Sequence, residues 1–340
     1  MNTITYQDST TQRVDKYLAE KYPAFSRRYF QDGLKTGKVL INGHKKSPSY
    51  KLKNNDRIEI KLSLTPPTKI TKLPANKKVP IDIVAKYPDF LIINKPAGLT
   101  VHPSVFDIQN NSLPPTLAGS LIAKFPELQN IGEDFSRPAI VHRLDKDTSG
   151  LMIIPRTQQS FRKFKKMFQN HSITKTYLAL CWHSQRQINS DKKQTGKKYK
   201  VIENFIGKSK SDHTKQATNK NPAYLINPKQ AKTLYKIIQQ AKLPCLYKVG
   251  KIKKQEKEIS LVQVQPQTGR KHQVRVHLSS VGLPLVGDHK YTNRLLKNCN
   301  KNFSQHLLQA HKLEFTYQGQ KYSFTAPEPE WFNLMQNNRH

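Results

Sequence analysis

Acidic residues are scarce in this sequence. There are 23 Asp and Glu against 58 Lys and Arg in 340 residues, a formal net charge of +35. With an isoelectric point near 10.0, the first expectation is an anionic partner, either nucleic acid or an acidic membrane surface. Long apolar runs are also missing. No window approaches the ~18 consecutive apolar residues of a spanning helix, so no membrane span is expected. Residues 1–13 are polar, carry one Asp and no Arg before Arg13, and lack the apolar core of a secretory signal. Cysteine is limited to Cys181, Cys245 and Cys299. That odd, widely spaced set makes neither a disulfide framework nor a zinc pattern, and three buried thiols in a reducing, cytoplasmic compartment are expected. There is no P-loop and no dinucleotide fingerprint. His102, His142, His272 and His277 form no HExxH or His/Cys cluster, so no metal and no cofactor is expected.

What is present is enough to fold. Hydrophobic residues make up 36% of the chain and aromatics 9%, which excludes a wholly disordered polymer. The length, at ~150 residues per domain, predicts roughly two domains.

Val14, Tyr17, Leu18 and Tyr22 recur at helical spacing, and Pro23 ends that helix. Ser26 is the expected N-cap of a second helix running to about Thr36, with Phe30 and Leu34 on its buried face and Gly37 as its stop. A strand over 38–41, an Asn42-Gly43 hairpin turn and an alternating strand over 56–62 follow. Arg27, Arg28, Lys35, Lys38, Lys45 and Lys46 gather around these elements. Singly each reads as solvated surface, and together they make a cradle for phosphates. Ser26-Arg27-Arg28, the run from Gly37 to Gly43 and Asn55-Asp56-Arg57-Ile58 resemble an S4 domain, a small RNA-binding module, over about 12–62. The first domain is therefore placed at 1–63. Residues 64–80, with Pro66, Pro67, Pro74 and Pro80, read as an extended linker.

A second domain is expected over 81–330. It opens on an apolar strand, Phe90 to Asn94, followed by Lys95-Pro96-Ala97-Gly98. Residues 183–222 are rich in Lys, Ser, Thr and Asn and read as a partly flexible basic insertion. Leu313 to Phe324 reads as two strands around Gln318-Gly319.

Three segments of this domain are candidates for chemistry. The run from Val141 to Gly150 is a dense polar stretch between apolar ones, where Arg143 and Lys146 would keep Asp145 ionised. An ion-paired loop aspartate is the plain alternative. In the strand Lys175 to Leu180, alternation puts Tyr177 and Ala179 on one face, and a strand tyrosine is ordinarily core or sheet surface. From Pro266 to Leu278, Thr268 is the expected cap of a helix starting after Gly269 that presents Arg270, Lys271 and Arg275. The plain alternative here is a basic surface helix.

Together these segments resemble the RluA family of pseudouridine synthases. His142-Arg143-Leu144-Asp145 followed by Thr148-Ser149-Gly150-Leu151, the Lys95 to Gly98 run, the Tyr177 strand and Thr268-Gly269-Arg270 through His272-Gln273, Arg275 and His277 carry the resemblance, over about 81–328. The sequence departs from the family pattern at Cys181-Trp182-His183 and at Leu308-Gln309-Ala310-His311.

The resemblance implies an α+β chain: an S4 domain followed by a mixed, mainly antiparallel sheet with a central RNA-binding cleft. It implies isomerisation of uridine in large-subunit ribosomal RNA, with a transfer RNA target or a non-catalytic ribosome-assembly role as alternatives. It makes Asp145 the nucleophile, Tyr177 the tyrosine that stacks on the base and Arg275 the partner of Asp145. His142 and Arg143 would shape the loop and help displace the nucleotide, and Arg270 would support the site or touch phosphate. Arg27, Arg28 and Lys38 would hold RNA from the first domain. The partner is RNA, no cofactor is needed, and a monomer is expected. A glycoside hydrolase using Asp145 and Asp147 as a carboxylate pair ranks last, since such pairs must face one space.

Overall fold

The computed structural model describes residues 2–8, 10–23, 25, 27–64, 72–104, 107–108, 113–183, 198–249, 251–294 and 296–336. The chain divides into two units, Met1–Leu73 with Pro103–Pro114, and Pro74–His102 with Pro115–His340.

The first unit packs two helices, α1 (Val14–Lys21) and α2 (Arg27–Thr36), with strands β1 (Asn2–Thr5), β2 (Val39–Ile41) and β3 (Arg57–Ile60). Strand β3 is central and antiparallel to both neighbours. The core is the one the periodicity selects: Val14 and Leu18 from α1, Phe30 and Leu34 from α2, and Ile58 and Ile60 from β3. Asn42 and Gly43 both take positive φ (51° and 76°), the conformation of a type I′ turn. Asn42 locks that turn, donating to Asp56 (2.8 Å) and accepting from the Arg57 amide (2.8 Å). The expected N-cap Ser26 lies outside the described residues.

The second unit is built on one large sheet. Among the described residues it holds β4 (Asp82–Lys86), β5 (Phe90–Lys95), β6 (Ser149–Pro155), β7 (Thr174–Trp182), β8 (Lys200–Ser209), β9 (Gln216–Asn219), β10 (Leu225–Val249), β11 (Lys251–Pro266), β12 (Leu308–Tyr317) and β13 (Gln320–Thr325). The order is β4-β5-β6-β12-β7-β11-β10-β8-β9, with β13 on β12. The β6–β12 pair is parallel and the others are antiparallel. The fold is α+β with a mixed, mainly antiparallel sheet. Strand alternation sends Leu178, Leu180 and Trp182 to one apolar cluster, and Ala179 and Cys181 to another. Helices α3 (Leu117–Lys124), α4 (Gln158–Gln169), α5 (Gln273–Ser280) and α6 (Lys297–Asn300) complete the elements used below.

Four expectations need correction. Residues 200–219 of the expected flexible insertion form β8 and β9 on the sheet edge. Their few apolar side chains suffice because Ile202 and Ile206 are buried against the sheet, while Val201 is exposed. Residues 184–197 lie outside the described residues. Of the linker expected over 64–80, residues 65–71 lie outside the described residues, and near its far end the Asn76 amide donates to Gly119 O (2.9 Å), so that part is held against α3. The helix begins at Gln273 rather than directly after Gly269, because Gln273 folds its own amide back onto this turn. Its Oε1 accepts from Thr268 Oγ1 (2.8 Å) and from the Arg270 amide (3.0 Å). Finally, the cysteines are not three thiols. Cys245 and Cys299, 54 residues apart in sequence, are joined in a disulfide, and only Cys181 is free and buried. The β10–β11 hairpin carries Cys245 to α6, a tertiary approach that spacing alone does not reveal.

The β6–β12 pairing places the polar run beginning at His142. Gly150 stands opposite Ala310 at φ +114°. A Cβ there would meet the Ala310 amide nitrogen at 2.6 Å and its carbonyl carbon at 2.7 Å, and would strike the carbonyl oxygen. Gly150→Ala is expected to cost roughly 3 kcal/mol or more of stability, through backbone strain and overpacking together. Chemical denaturation measures it, and a loss below ~1 kcal/mol would mean that the two strands separate without cost.

Candidate active site

The candidate site is assembled from the loop before β6, the middle of the sheet, the turn before α5 and the segment after it. Ala310 of β12 pairs with Gly150 on one side and Tyr177 on the other. The end of the Asp145 loop and the tyrosine therefore stand two strands apart, roughly 10 Å.

Asp145 is partly buried, with 24% of its side chain exposed, and its Oδ2 accepts from Arg275 Nη1 at 3.1 Å. Arg275 comes from α5 and is itself held from behind. Its Nε and Nη2 donate to the two oxygens of Asp288 (2.8 and 3.1 Å). Asp288 is fully buried and also accepts from the amides of Lys290 (2.8 Å) and Tyr291 (3.0 Å). Burial alone would raise the Asp288 pKa, but the guanidinium and the two amides outweigh it and hold the carboxyl below its usual range. On Arg275, burial works against the charge, and the hydrogen bonds and charges of Asp288 and Asp145 reverse this and raise its pKa. The Arg275 guanidinium also lies over the Tyr291 ring, 5.0 Å from its centroid.

Tyr291 links further. Its hydroxyl is 2.6 Å from His272 Nδ1 and accepts from the Gln216 amide of β9 (3.0 Å). His272 Nε2 stands 3.9 Å from Asp145 Oδ1. His272 has φ 55° and ψ 22°, a left-handed conformation that costs a non-glycine residue on the order of 1 kcal/mol. Tyr177 is half-buried, and its pKa is raised first by burial and then by the nearby Asp145 carboxylate.

The loop is clamped from below. Lys95 is buried, and its three ammonium protons reach the carbonyls of Pro96 (2.7 Å), Leu99 (2.9 Å) and Lys146 (3.0 Å). Burial lowers its pKa to about 8, against the pull of Asp147 and Asp145. Thr148 hydrogen-bonds to buried His306 (2.8 Å). Asp147 faces a groove with Lys95, His306 and Trp331.

Of the residues expected at the site, Asp145, Tyr177 and Arg275 are brought together. The others are placed elsewhere. His142 stacks on Phe168 (4.2 Å between centroids) and its Nε2 accepts from the Ile153 amide (2.9 Å), which ties the loop to β6. Burial lowers its pKa to about 3. Arg143 is exposed and hydrogen-bonds to His102 (3.1 Å), and the cation hydrogen-bonded to Asp145 is Arg275 instead. Arg270 donates to Gln230 O (2.9 Å) and anchors the turn to β10. In the first unit, Arg27 makes a two-pronged pair with buried Asp15 (3.0 and 3.1 Å), pinning α2 to α1. Arg28 is largely exposed, with Asp32 at 3.7 Å, and Lys38 is exposed at the start of the hairpin. Asp288, Tyr291 and His306 were not foreseen. The only signal was the Gly287-Asp288 pair, which carries no role by itself. Among the described residues no group of His, Cys, Asp and Glu could hold a metal, and no helix is long and apolar enough to cross a membrane.

Comparison with known proteins decides the family. The model of the RNA pseudouridylate synthase family matches residues 89–280, and an S4 domain matches residues 12–58.

The chain belongs to the RNA pseudouridylate synthase family.

An uncharacterized RNA pseudouridine synthase from Aquifex aeolicus is 32% identical over 333 residues, covering 94% of this chain and 92% of the relative. Ribosomal large subunit pseudouridine synthase D from Vibrio parahaemolyticus is 28% identical over 341 residues, covering 96% and 91%. The structure of human RNA pseudouridylate synthase domain containing 1 shares the fold at a TM-score of 0.54 and 23% identity, covering 76% of this chain and 86% of that one. The chain is thus an isomerase of uridine in RNA, and every element of the candidate site belongs to its second unit.

Two buried histidines give this site a pH signature. Burial holds His277 and His306 near pKa 4, against ~6.5 in the unfolded chain. Between those values the unfolded chain takes up protons that the native state refuses. The stability that each of these histidines contributes is therefore fully present above pH 6.5 and is lost as pH drops toward 4, on the order of 3 kcal/mol per histidine. Denaturation across pH 4–7 tests this: His306→Gln should flatten the slope, and an unchanged slope would contradict it.

Proposed function

We propose that this pseudouridine synthase modifies uridine in large-subunit ribosomal RNA, with Asp145 as nucleophile. The observation that carries the reading is the Asp145–Arg275 bond at 3.1 Å, backed by the buried Asp288. Pseudouridine formation breaks N1–C1′ and makes C5–C1′. The C5 proton leaves and N1 gains one, so atoms balance without a redox or phosphoryl step. An attack by carboxylate, whether on the sugar or on the ring, needs an ionised and aimed oxygen. The guanidinium meets that need by charge-assisted hydrogen bonding.

Tyr177 stands beside Asp145 with its phenol protonated. It offers a ring face on which the detached base stacks. A uridine inside folded RNA must be flipped out to reach the carboxylate, and exposed Arg143, at the mouth of the same loop, is suited to fill the gap left behind. His142 and Arg270 then act indirectly, holding the loop and the turn, while Arg28 and Lys38 of the S4 unit meet phosphates. Arg27, spent on Asp15, serves mainly to fix α2 for that purpose. One chain supplies every group, so we propose a monomer acting in the cytoplasm, where ribosomal RNA is. Support for the ribosomal target comes from the relatives named for the large subunit, joined here to an S4 domain and a net charge of +35.

The test is pseudouridine mapping of large-subunit RNA and of transfer RNA after incubation with the purified chain. Wild type should convert uridine in large-subunit RNA. Asp145→Asn should be slower by at least ~10⁴-fold with RNA binding intact. Conversion confined to transfer RNA would overturn the target, and a fully active Asp145→Asn would overturn the nucleophile.

A further inference from the structure

Pairing with Arg275 accounts for only one oxygen of Asp145. The other, Oδ1, faces His272 Nε2 at 3.9 Å, beyond hydrogen-bonding range. Two features favour a proton on that nitrogen. The Tyr291 hydroxyl oxygen accepts the Gln216 amide proton (3.0 Å), which favours, over accepting a second proton, the donation of the phenol's own proton to His272 Nδ1 at 2.6 Å. A neutral imidazole whose Nδ1 accepts must carry its proton on Nε2. Independently, a bare lone pair on Nε2 would face a carboxylate, whereas an N–H there is attracted to it. Both arguments give the same tautomer.

The charged and titratable groups around the ring are Asp145 on one side, Arg275, Lys271 and Lys290 on the others, and Tyr291 at Nδ1. Burial and the three cations outweigh the single carboxylate and lower the His272 pKa to about 4, so the ring is neutral at pH 7. The ring is 13% exposed at the side chain. It is held in the left-handed backbone conformation that aims it at the nucleophile, a strained arrangement of the kind that clusters at functional sites.

We propose that His272 is a substrate-contacting residue whose Nε2–H, fixed by Tyr291, donates to a carbonyl oxygen of the target uracil beside Asp145. When N1–C1′ breaks, the uracil carries the bonding electrons and its carbonyl oxygens become more negative. A preset donor there favours that state over the ground state. No proton leaves His272, so the balance of the isomerisation is unchanged. The Gln216 amide comes from β9, so a strand of the segment that looked like a flexible insertion sets the geometry of the reacting centre. The proposal rests on the function proposed above and extends it to the recognition of the base.

The experiment is ¹⁵N-histidine NMR of the full chain at pH 7, with turnover and RNA affinity measured for two variants. His272 should show a protonated Nε2 and an unprotonated Nδ1, and Tyr291→Phe should convert this to a tautomer mixture. Single-turnover conversion should fall ~10²-fold in His272→Ala and ~10-fold in Tyr291→Phe, with RNA affinity unchanged in both. A protonated Nδ1 in wild type overturns the proposal, as does a loss of turnover matched by an equal loss of affinity. Should His272→Ala not fold, the tautomer and Tyr291→Phe still decide. If wild type converts no uridine at all, the proposed function fails, and the tautomer measurement still judges His272.

Discussion

The site depends on one buried guanidinium shared between two carboxylates. Arg275 spends Nε and Nη2 on Asp288 and keeps Nη1 for Asp145. A buried ion pair is weak evidence for stability, because desolvation consumes most of its Coulombic gain. What it supplies here is aim. Asp288 holds the Nε and Nη2 side of the guanidinium and accepts two backbone amides besides, which restrains the group while Nη1 donates to Asp145. The same cation lies over Tyr291, which turns His272 toward the opposite oxygen.

The surrounding fold exists to hold Asp288. Asn300 at the end of α6 donates to Asp288 O (3.0 Å) and accepts from the Gly287 amide (2.9 Å) and from buried Trp182 (2.7 Å). Trp182 is on β7, the strand that carries Tyr177 five residues earlier. Cys299, next to Asn300, is bonded to Cys245 on β10. The tyrosine strand, the long hairpin and the Asp288 segment are therefore cross-tied within a few residues of one another. On the other flank, Lys95 and His306 fix the loop that carries Asp145. Asp145, Tyr177 and Arg275 thus stand on rigid supports, which is the condition for electrostatic preorganisation in the function proposed for them.

How much of this was legible in the sequence follows from the range of each interaction. Both helices, the Asn-Gly turn and strands β2 and β3 of the S4 unit were legible, because its core repeats at helical and strand periods, but β1 (Asn2–Thr5) was not, since its short polar run shows no period that marks it as a partner of β3. The strand of Tyr177 was legible by alternation, and Asp145 and Arg275 by motif order. Asp288 was not, because its role depends on a contact across thirteen residues and a turn. Nor was the helix start at Gln273, where a glutamine side chain replaces the expected Thr268 cap. His142, Arg143 and Arg270 had the right neighbourhood in sequence, yet their side chains point to Phe168, His102 and Gln230. Composition misled for 200–219, since edge strands need few apolar residues, and for the cysteines, whose pairing is tertiary.

The central claim is that Asp288 acts on catalysis only through Arg275. A double-mutant cycle with Asp288→Asn and Arg275→Lys, read as single-turnover pseudouridine formation with RNA affinity measured alongside, tests it most directly. Residues that act as one unit are strongly non-additive. The account predicts that the double variant is no slower than the slower single variant, within about 3-fold. Single losses that multiply in the double variant would contradict it.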